Sequence, residues 1–258
     1  MAHTAEIRLI PVALSDEIAP GDNLVEKLRV AMRHQKLSLR TGDILVIKHK
    51  VVSKSEGQIV RLGSVKPSRL AQSWARQCGG DARLVELALS ESNRIVRKKM
   101  LRKNKGVLIT QTRHGLVCAN SGVDASNVDG GKSAVLLPRD PDRSAARLRT
   151  YIKKSLGASV AVIISDSFGR PWREGLTEVA IGVAGMKPLV DYRGKRDAHG
   201  YMLHATDEAV ADELACAASL VCGKLNRMPV CIVRGFRYHG GRGSARDLIR
   251  PKENDLFR

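Results

Sequence analysis

In "PGDNLVEKLRVAMRHQ" the apolar residues Leu24, Leu28 and Met32 recur every four positions. They follow a Pro-Gly turn and a capping Asp22 or Asn23, so the spacing predicts a helix. "GDILVIKHKVVS" opens on a Gly-Asp turn and reads as a strand. "PSRLAQSWARQC" sets Leu70, Trp74 and Cys78 at i, i+4 and i+8, a second helix, and "DARLVELALSES" supplies a third. "GVLITQTRHGLVCAN" predicts a hairpin that turns near "TRHG". "PDRSAARLRTYIKKSLG" is an amphipathic helix stopped by Gly157. "ASVAVIIS" and "PVCIVRG" are continuous apolar strands, with a helix in "DEAVADELACAASLV" between them. Strands and helices mix without strict alternation, which predicts an α+β (mixed α/β) fold in preference to a regular Rossmann domain. No repeat, low-complexity tract or linker divides the chain.

Composition adjusts this picture in four ways. A length of 258 residues suits one large domain or two intimate subdomains. Aromatic residues make up only 3%, so the core must rest on Val, Ile, Leu and Ala. No apolar run approaches the roughly 18 residues of a membrane span, and "MAHTAEIRLIPV" lacks the pattern of a signal peptide, so a cytoplasmic protein with no membrane partner is expected. The five cysteines form no C-x-x-C pair and read as small buried hydrophobes.

The formal net charge is +18, which favours anionic partners. Its densest run, "RIVRKKMLRKNK" from Arg94 to Lys105, is read as a solvated helix end. A nucleic-acid patch would gain from stacking aromatics, and this run has none.

Three stretches carry candidate chemistry. "DGGKS" is not a P-loop: the pattern needs glycine where Ser126 stands, and a strand-like run follows where a helix is required. "NSGVDASNV" surrounds Asp124 and Asn127 with small residues that permit close approach of a ligand, although turn chemistry alone also explains it. "SDSFGRPWREG" places Asp166, Ser167, Arg170 and Arg173 at the expected end of a core strand. Carboxylate and hydroxyl oxygens suit a hard divalent cation and arginines suit phosphate, so the two acidic loops together fit a metal–nucleotide site, with a structural salt-bridge cluster as the alternative.

The stretches "KVVSKSEG", "TRHGLVCANSGVDASNV", "LLPRDPDRSAARLR", "ISDSFGRPWREGLTEVAIGVAGMKPLVDYRGKRDAHGY" and "PVCIVRG" stand in the order seen in the coenzyme F420-0:L-glutamate ligases, the F420 gamma-glutamyl ligases, and the chain resembles that family from about Ile10 to Phe257. Its ending, "SARDLIRPKENDLF", is similar to the bacterial branch, in a ligase module without the nitroreductase-like domain that follows in some relatives. The resemblance implies a dimeric enzyme of mixed fold. Such an enzyme uses GTP to join L-glutamate to F420-0, then adds further gamma-linked glutamates, through an acyl phosphate and with release of GDP and phosphate. It implies Mg²⁺ or Mn²⁺, two per site, with K⁺ as an aid.

Carried over by position, the resemblance assigns Asp124, Asp166 and Ser167 to metal. It assigns Lys54 and Asn127 to the nucleotide, and makes Ser15, Asp16, Glu17 and Ile18 a GTP-contacting loop, although "LSDE" departs from the commoner "LPE" type. His49 replaces a frequent serine at another nucleotide position, and Val221 to Met228 matches a further GTP-contacting segment. A general base for the glutamate amine is not identified; Glu174 and Glu178 are candidates. The rival readings are a related carboxylate–amine ligase with another acceptor and a basic nucleic-acid-binding protein.

Overall fold

The computed structural model describes residues 6–102, 105–126 and 128–255. Along the chain run β1 (Arg8–Val12), α1 (Leu24–His34), β2 (Ile44–Lys48), α2 (His49–Ser55), β3 (Ile59–Arg61), α3 (Arg69–Cys78), α4 (Ala82–Ser90), β4 (Ser92–Arg102), β5 (Lys105–Thr112), β6 (Val117–Ala119), β7 (Ser133–Val135), α5 (Pro141–Leu156), β8 (Ala161–Arg170), β9 (Arg173–Ala184), β10 (Val190–Asp191), β11 (Asp207–Glu208), α6 (Val210–Cys222) and β12 (Val230–Arg234). This is a mixed α/β architecture with several sheets, consistent with the α+β expectation.

The central sheet has the order β1-β12-β2-β8-β9. Only β2 and β8 run parallel; the other neighbours are antiparallel. Ile44, Leu45, Ile47, Ile163, Ile164 and Ile232 are completely buried, because helices cover both faces of β2, β8 and β12. On one face Leu45, Ile47, Val162 and Ile164 meet Leu28 of α1 and Ile152 of α5. On the other, Ile44, Val46, Ala161 and Ile163 meet Leu214, Ala215 and Ala218 of α6. Each such aliphatic side chain contributes about 1.5–3 kcal/mol when removed from water. Pro11 sits in β1 at the edge of the sheet, where its missing N–H costs no ladder bond. A bidentate pair on the buried Asp43, Arg234 Nε to Asp43 Oδ1 at 2.8 Å and Nη2 to Oδ2 at 2.7 Å, clamps β12 to the turn that opens β2.

Smaller sheets, β3-β7 and β4-β5-β6, stand beside the central one, and α3 and α4 cover the latter through Trp74, Cys78 and Leu108. Three expectations need correction here. The basic run beginning at Arg94 is no helix end: it is strand β4, paired antiparallel with β5. The strand opened by Asp43 stops at Lys48, and the next residues wind into α2. The core strand β8 does not end at Ser165; it continues through Asp166 and Ser167 to Arg170, because β9 pairs with it over that whole length.

Candidate active site

Helix α2 organises one half of the site. It leaves the end of β2 with its first turn against the neighbouring strand, so consecutive side chains fan out. His49, buried, sets Nε2 3.3 Å from Asp166 Oδ1, while its Nδ1 lies 3.3 Å from Ser53 Oγ. Lys50 Nζ contacts Asp124 Oδ2 at 2.6 Å and donates to Ser126 Oγ at 2.8 Å. One turn on, the buried Lys54 donates to Glu17 Oε1 at 2.9 Å. Thus Asp124, Asp166 and Glu17, far apart in sequence, meet one short helix.

Each carboxylate is locally fixed. Asp124 exchanges backbone hydrogen bonds with Val135 and accepts the Ser126 amide at Oδ1, 2.6 Å. The preceding 3-10 turn, Asn120–Gly122, holds all three residues at positive φ, so the segment folds back sharply. Burial pushes the Asp124 carboxyl up, but hydrogen bonds from Lys50 and Ser126, with the Lys50 charge, outweigh it and leave the group below its ordinary range. Asp166 Oδ1 accepts the Ser167 amide at 2.7 Å. Strand β6 packs against β8 here: burial, then the Asp166 charge, pushes the Cys118 thiol up to about 12, so it stays protonated. The hydrogen bond from Lys54, then its charge, lowers Glu17.

Alternation along β8 places Ser167 elsewhere. Asp166 follows Val162 and Ile164 on the face covered by α1 and α5; Ser165 and Ser167 follow Ala161 and Ile163 on the α6 face. There Ser165 Oγ donates to Glu178 Oε2 at 2.8 Å, and Ser167 Oγ donates to Glu178 Oε1 at 2.5 Å. Lys48 Nζ, from the last residue of β2, and Lys224 Nζ, from the loop after α6, both lie 3.2 Å from that same Oε1. Lys224 also donates to Ser167 Oγ. Glu178 is only 4% exposed. Burial raises its pKa, but Ser167, the Lys48 charge, Ser165 and the Lys224 charge together bring it down to about 2. Such a carboxylate is a poor proton acceptor near neutral pH, which removes the sequence-based reason for naming it a general base. Glu174 lies at the tip of the β8–β9 hairpin, where its carbonyl accepts Arg170 Nη2 at 3.1 Å.

The remaining sequence candidates divide. Ser15, Asp16 and Glu17 are exposed in a loop that lies beside the segment after α6, since Leu14 N donates to Arg227 O at 3.3 Å. Ile18 is buried in the main core, so its side chain is closed to a ligand. Asn127 lies outside the described residues. Sequence reasoning missed Lys48 and named Lys224 only as part of the Val221–Met228 segment. A lysine at a strand end carries no local signal, and the register Lys48↔Ser165 and Ser167↔Glu178 is what brings it to Glu178.

Among the described residues no group of three or more His, Cys, Asp and Glu side chains converges as a metal cage. Asp166, whose Oδ2 accepts no hydrogen bond among the described residues, fits a Mg²⁺-like ion that takes one or two protein carboxylates and completes its shell with phosphate and water, and Asp124 would join it once Lys50 turned from its Oδ2. Ser167 fits less well, because its hydroxyl is engaged by Glu178 and Lys224.

The sequence model of the family "F420-0:Gamma-glutamyl ligase" matches residues 14–235. A protein of Methanothermobacter thermautotrophicus called coenzyme F420:L-glutamate ligase is 44% identical over 255 residues, covering 98% of this chain and 99% of its own. Proteins of the same name from Methanocaldococcus jannaschii and Methanopyrus kandleri are each 42% identical, over 90% and 98% of this chain and 91% and 98% of their own. With a match of that extent and that identity, the chain belongs to the F420-0:gamma-glutamyl ligase family.

Proposed function

We propose that the chain is a GTP-dependent ligase that joins the amine of L-glutamate to the carboxylate of coenzyme F420-0 and then extends the product by gamma-linked glutamates. The observation that supports this best is the gathering of Asp124, Asp166 and Glu17 around α2, each beside a basic or imidazole side chain, within a chain of this family.

A carboxylate is a poor electrophile. Transfer of the GTP gamma-phosphoryl group to it forms an acyl phosphate: the carboxylate oxygen bonds to phosphorus, the bond to the GDP oxygen breaks, and GDP leaves. The glutamate nitrogen then attacks the acyl carbon and phosphate departs with the shared oxygen, while the amine loses a proton. Asp124 and Asp166 would hold a Mg²⁺ or Mn²⁺ ion, which would supply charge stabilisation for the phosphoryl group, worth several kcal/mol in such sites. Lys50 and Lys54 neutralise phosphate oxygens, and the exposed Ser15–Glu17 loop and Val221–Met228 segment border the nucleotide. His49 keeps Asp166 in place from below. K⁺ as an aid, a homodimer and the absence of a nucleic-acid partner belong to the same reading.

The test is mass spectrometry of purified protein incubated with F420-0, L-glutamate, Mn²⁺ and either GTP or ATP. Products heavier by one and then more glutamyl units, with GDP, are expected. Equal or faster glutamylation with ATP would sink the nucleotide assignment, and turnover of another carboxylic acid in preference to F420-0 would sink the acceptor.

A further inference from the structure

We propose that Lys50 makes the two aspartates unequal: its ammonium holds Asp124 against a divalent ion until an anionic phosphate draws that charge away, so that metal and nucleotide enter together rather than metal first. This rests on the reading above of a metal–nucleotide site, and adds to it an order of binding.

Lys50 Nζ lies 2.6 Å from Asp124 Oδ2 and donates to Ser126 Oγ at 2.8 Å, while the Ser126 amide donates to Asp124 Oδ1 at 2.6 Å. Both oxygens of Asp124 therefore already face a donor. The lysine side chain is 27% exposed and the aspartate 38%, so water and salt screen the pair only in part. Asp166 is placed differently. Its Oδ1 meets the Ser167 amide at 2.7 Å and the His49 ring at 3.3 Å, and its Oδ2 accepts no hydrogen bond among the described residues. One acid is open to a cation and the other is covered by one.

A divalent ion that left Lys50 in place would have to use the remaining lone pair of Asp124 Oδ2. It would then stand roughly 4 Å from the ammonium, where a double and a single positive charge repel even with partial screening. Lysine carries its charge as a point on a flexible four-carbon stem. A turn of that stem towards a triphosphate exchanges one carboxylate for several phosphate charges, removes the repulsion and uncovers Oδ2 as the phosphates arrive. The coupling is reciprocal: a bound ion raises the affinity for nucleotide by the factor with which nucleotide raises the affinity for the ion. Lys54, one turn further along α2, supplies the comparison, because its partner at 2.9 Å is Glu17, a carboxylate not assigned to metal.

Electron paramagnetic resonance of Mn²⁺ reads bound ion directly, with and without a non-hydrolysable GTP analogue, and needs no turnover. Without nucleotide, Lys50→Met should bind Mn²⁺ about tenfold or more tighter than the native chain, the scale of one charged hydrogen bond. The analogue should then tighten Mn²⁺ binding by a correspondingly smaller factor in Lys50→Met than in the native chain. Lys50→Arg keeps the charge and should stay within about threefold of the native affinity; so should Lys54→Met, whose lost charge acts on the ion only through space and solvent. Unchanged or weaker Mn²⁺ binding by nucleotide-free Lys50→Met would overturn the proposal. An equal gain in Lys54→Met would do so too, since it would mark a diffuse effect of net charge. Circular dichroism checks the fold, and Lys50→Gln is read in the same way; collapse of both variants would make Lys50 a structural clamp and likewise overturn it. No uptake of Mn²⁺ by the native chain even with the analogue would instead remove the metal–nucleotide reading, and this order of binding with it.

Discussion

Asp166 and Glu178 sit on neighbouring strands, yet their surroundings assign them opposite work. Asp166 has one oxygen on the Ser167 amide and on His49, and its Oδ2 accepts no hydrogen bond among the described residues. It is free to meet a cation. Asp166→Asn keeps the shape and removes the charge; Mn²⁺ affinity should drop and glutamate incorporation should slow by orders of magnitude, with circular dichroism unchanged. Asp124→Asn should behave alike, and the double variant should be little worse than either, because groups that act as one unit are not additive. Near-native turnover with unchanged Mn²⁺ dependence in folded Asp166→Asn would take that residue out of the site. Glu178, in contrast, has no free oxygen and is held ionised. Its folded pKa of about 2 lies below the ordinary value of 4.5, so the native state binds fewer protons and the stability it contributes is present above pH 4.5. Between about pH 4.5 and 2 that contribution, on the order of 3 kcal/mol, is lost. Urea midpoints measured across this window should fall more steeply for the native chain than for Glu178→Gln; parallel slopes would count against the ionised, lysine-held carboxylate.

At the scale of elements, helix α5 lies on β9 with almost no clearance. A Cβ added at Gly182 would stand 2.5 Å from the Pro141 carbonyl carbon and oxygen, which are backbone and cannot swing aside. Gly182→Ala should therefore cost about 1–3 kcal/mol, the usual range for overpacking, and appear as a lower melting temperature with the contacts around α2 intact once folded. An unaltered melting temperature would mean that α5 shifts freely. Helices such as α5 were legible in the sequence because capping residues and an apolar stripe agree: Asp140 accepts the Arg143 amide and Gly157 closes the helix at φ 68°. The hairpin of β5 and β6, the strands β2, β8 and β12, and helices α1, α3, α4 and α6 were legible for similar reasons. Strand β4 was not, because lysines and arginines occupy both of its faces and leave no alternation to read. The second half of β8 was hidden likewise: its polar residues belong to a strand only because β9 supplies the partner bonds. Of the site, the acids announced themselves at the ends of apolar runs, whereas Lys48 meets Glu178 only through strand register.

For the whole molecule, the tip of the β8–β9 hairpin leaves Trp172 80% exposed and Leu176 64% exposed, an unusual use of one of two tryptophans. Covering such a tip agrees with the homodimer proposed above. Light scattering at assay concentration should give twice the chain mass of 28.1 kDa, and a mass of 28.1 kDa alone would reject the dimer.

The order β1-β12-β2 has a consequence for how the protein is made. The first strand to leave the ribosome and the second never touch as neighbours; the place between them is kept for Val230–Arg234, which is synthesised last. Until then both flanking strands expose unpaired edges, and the loop carrying Ser15–Glu17 has no Arg227 to lean on. Such distant pairings fold slowly and leave aggregation-prone edges in the meantime. A chain stalled before β12 is therefore expected to be unstable, with β1 and one edge of β2 left without the partner that joins them.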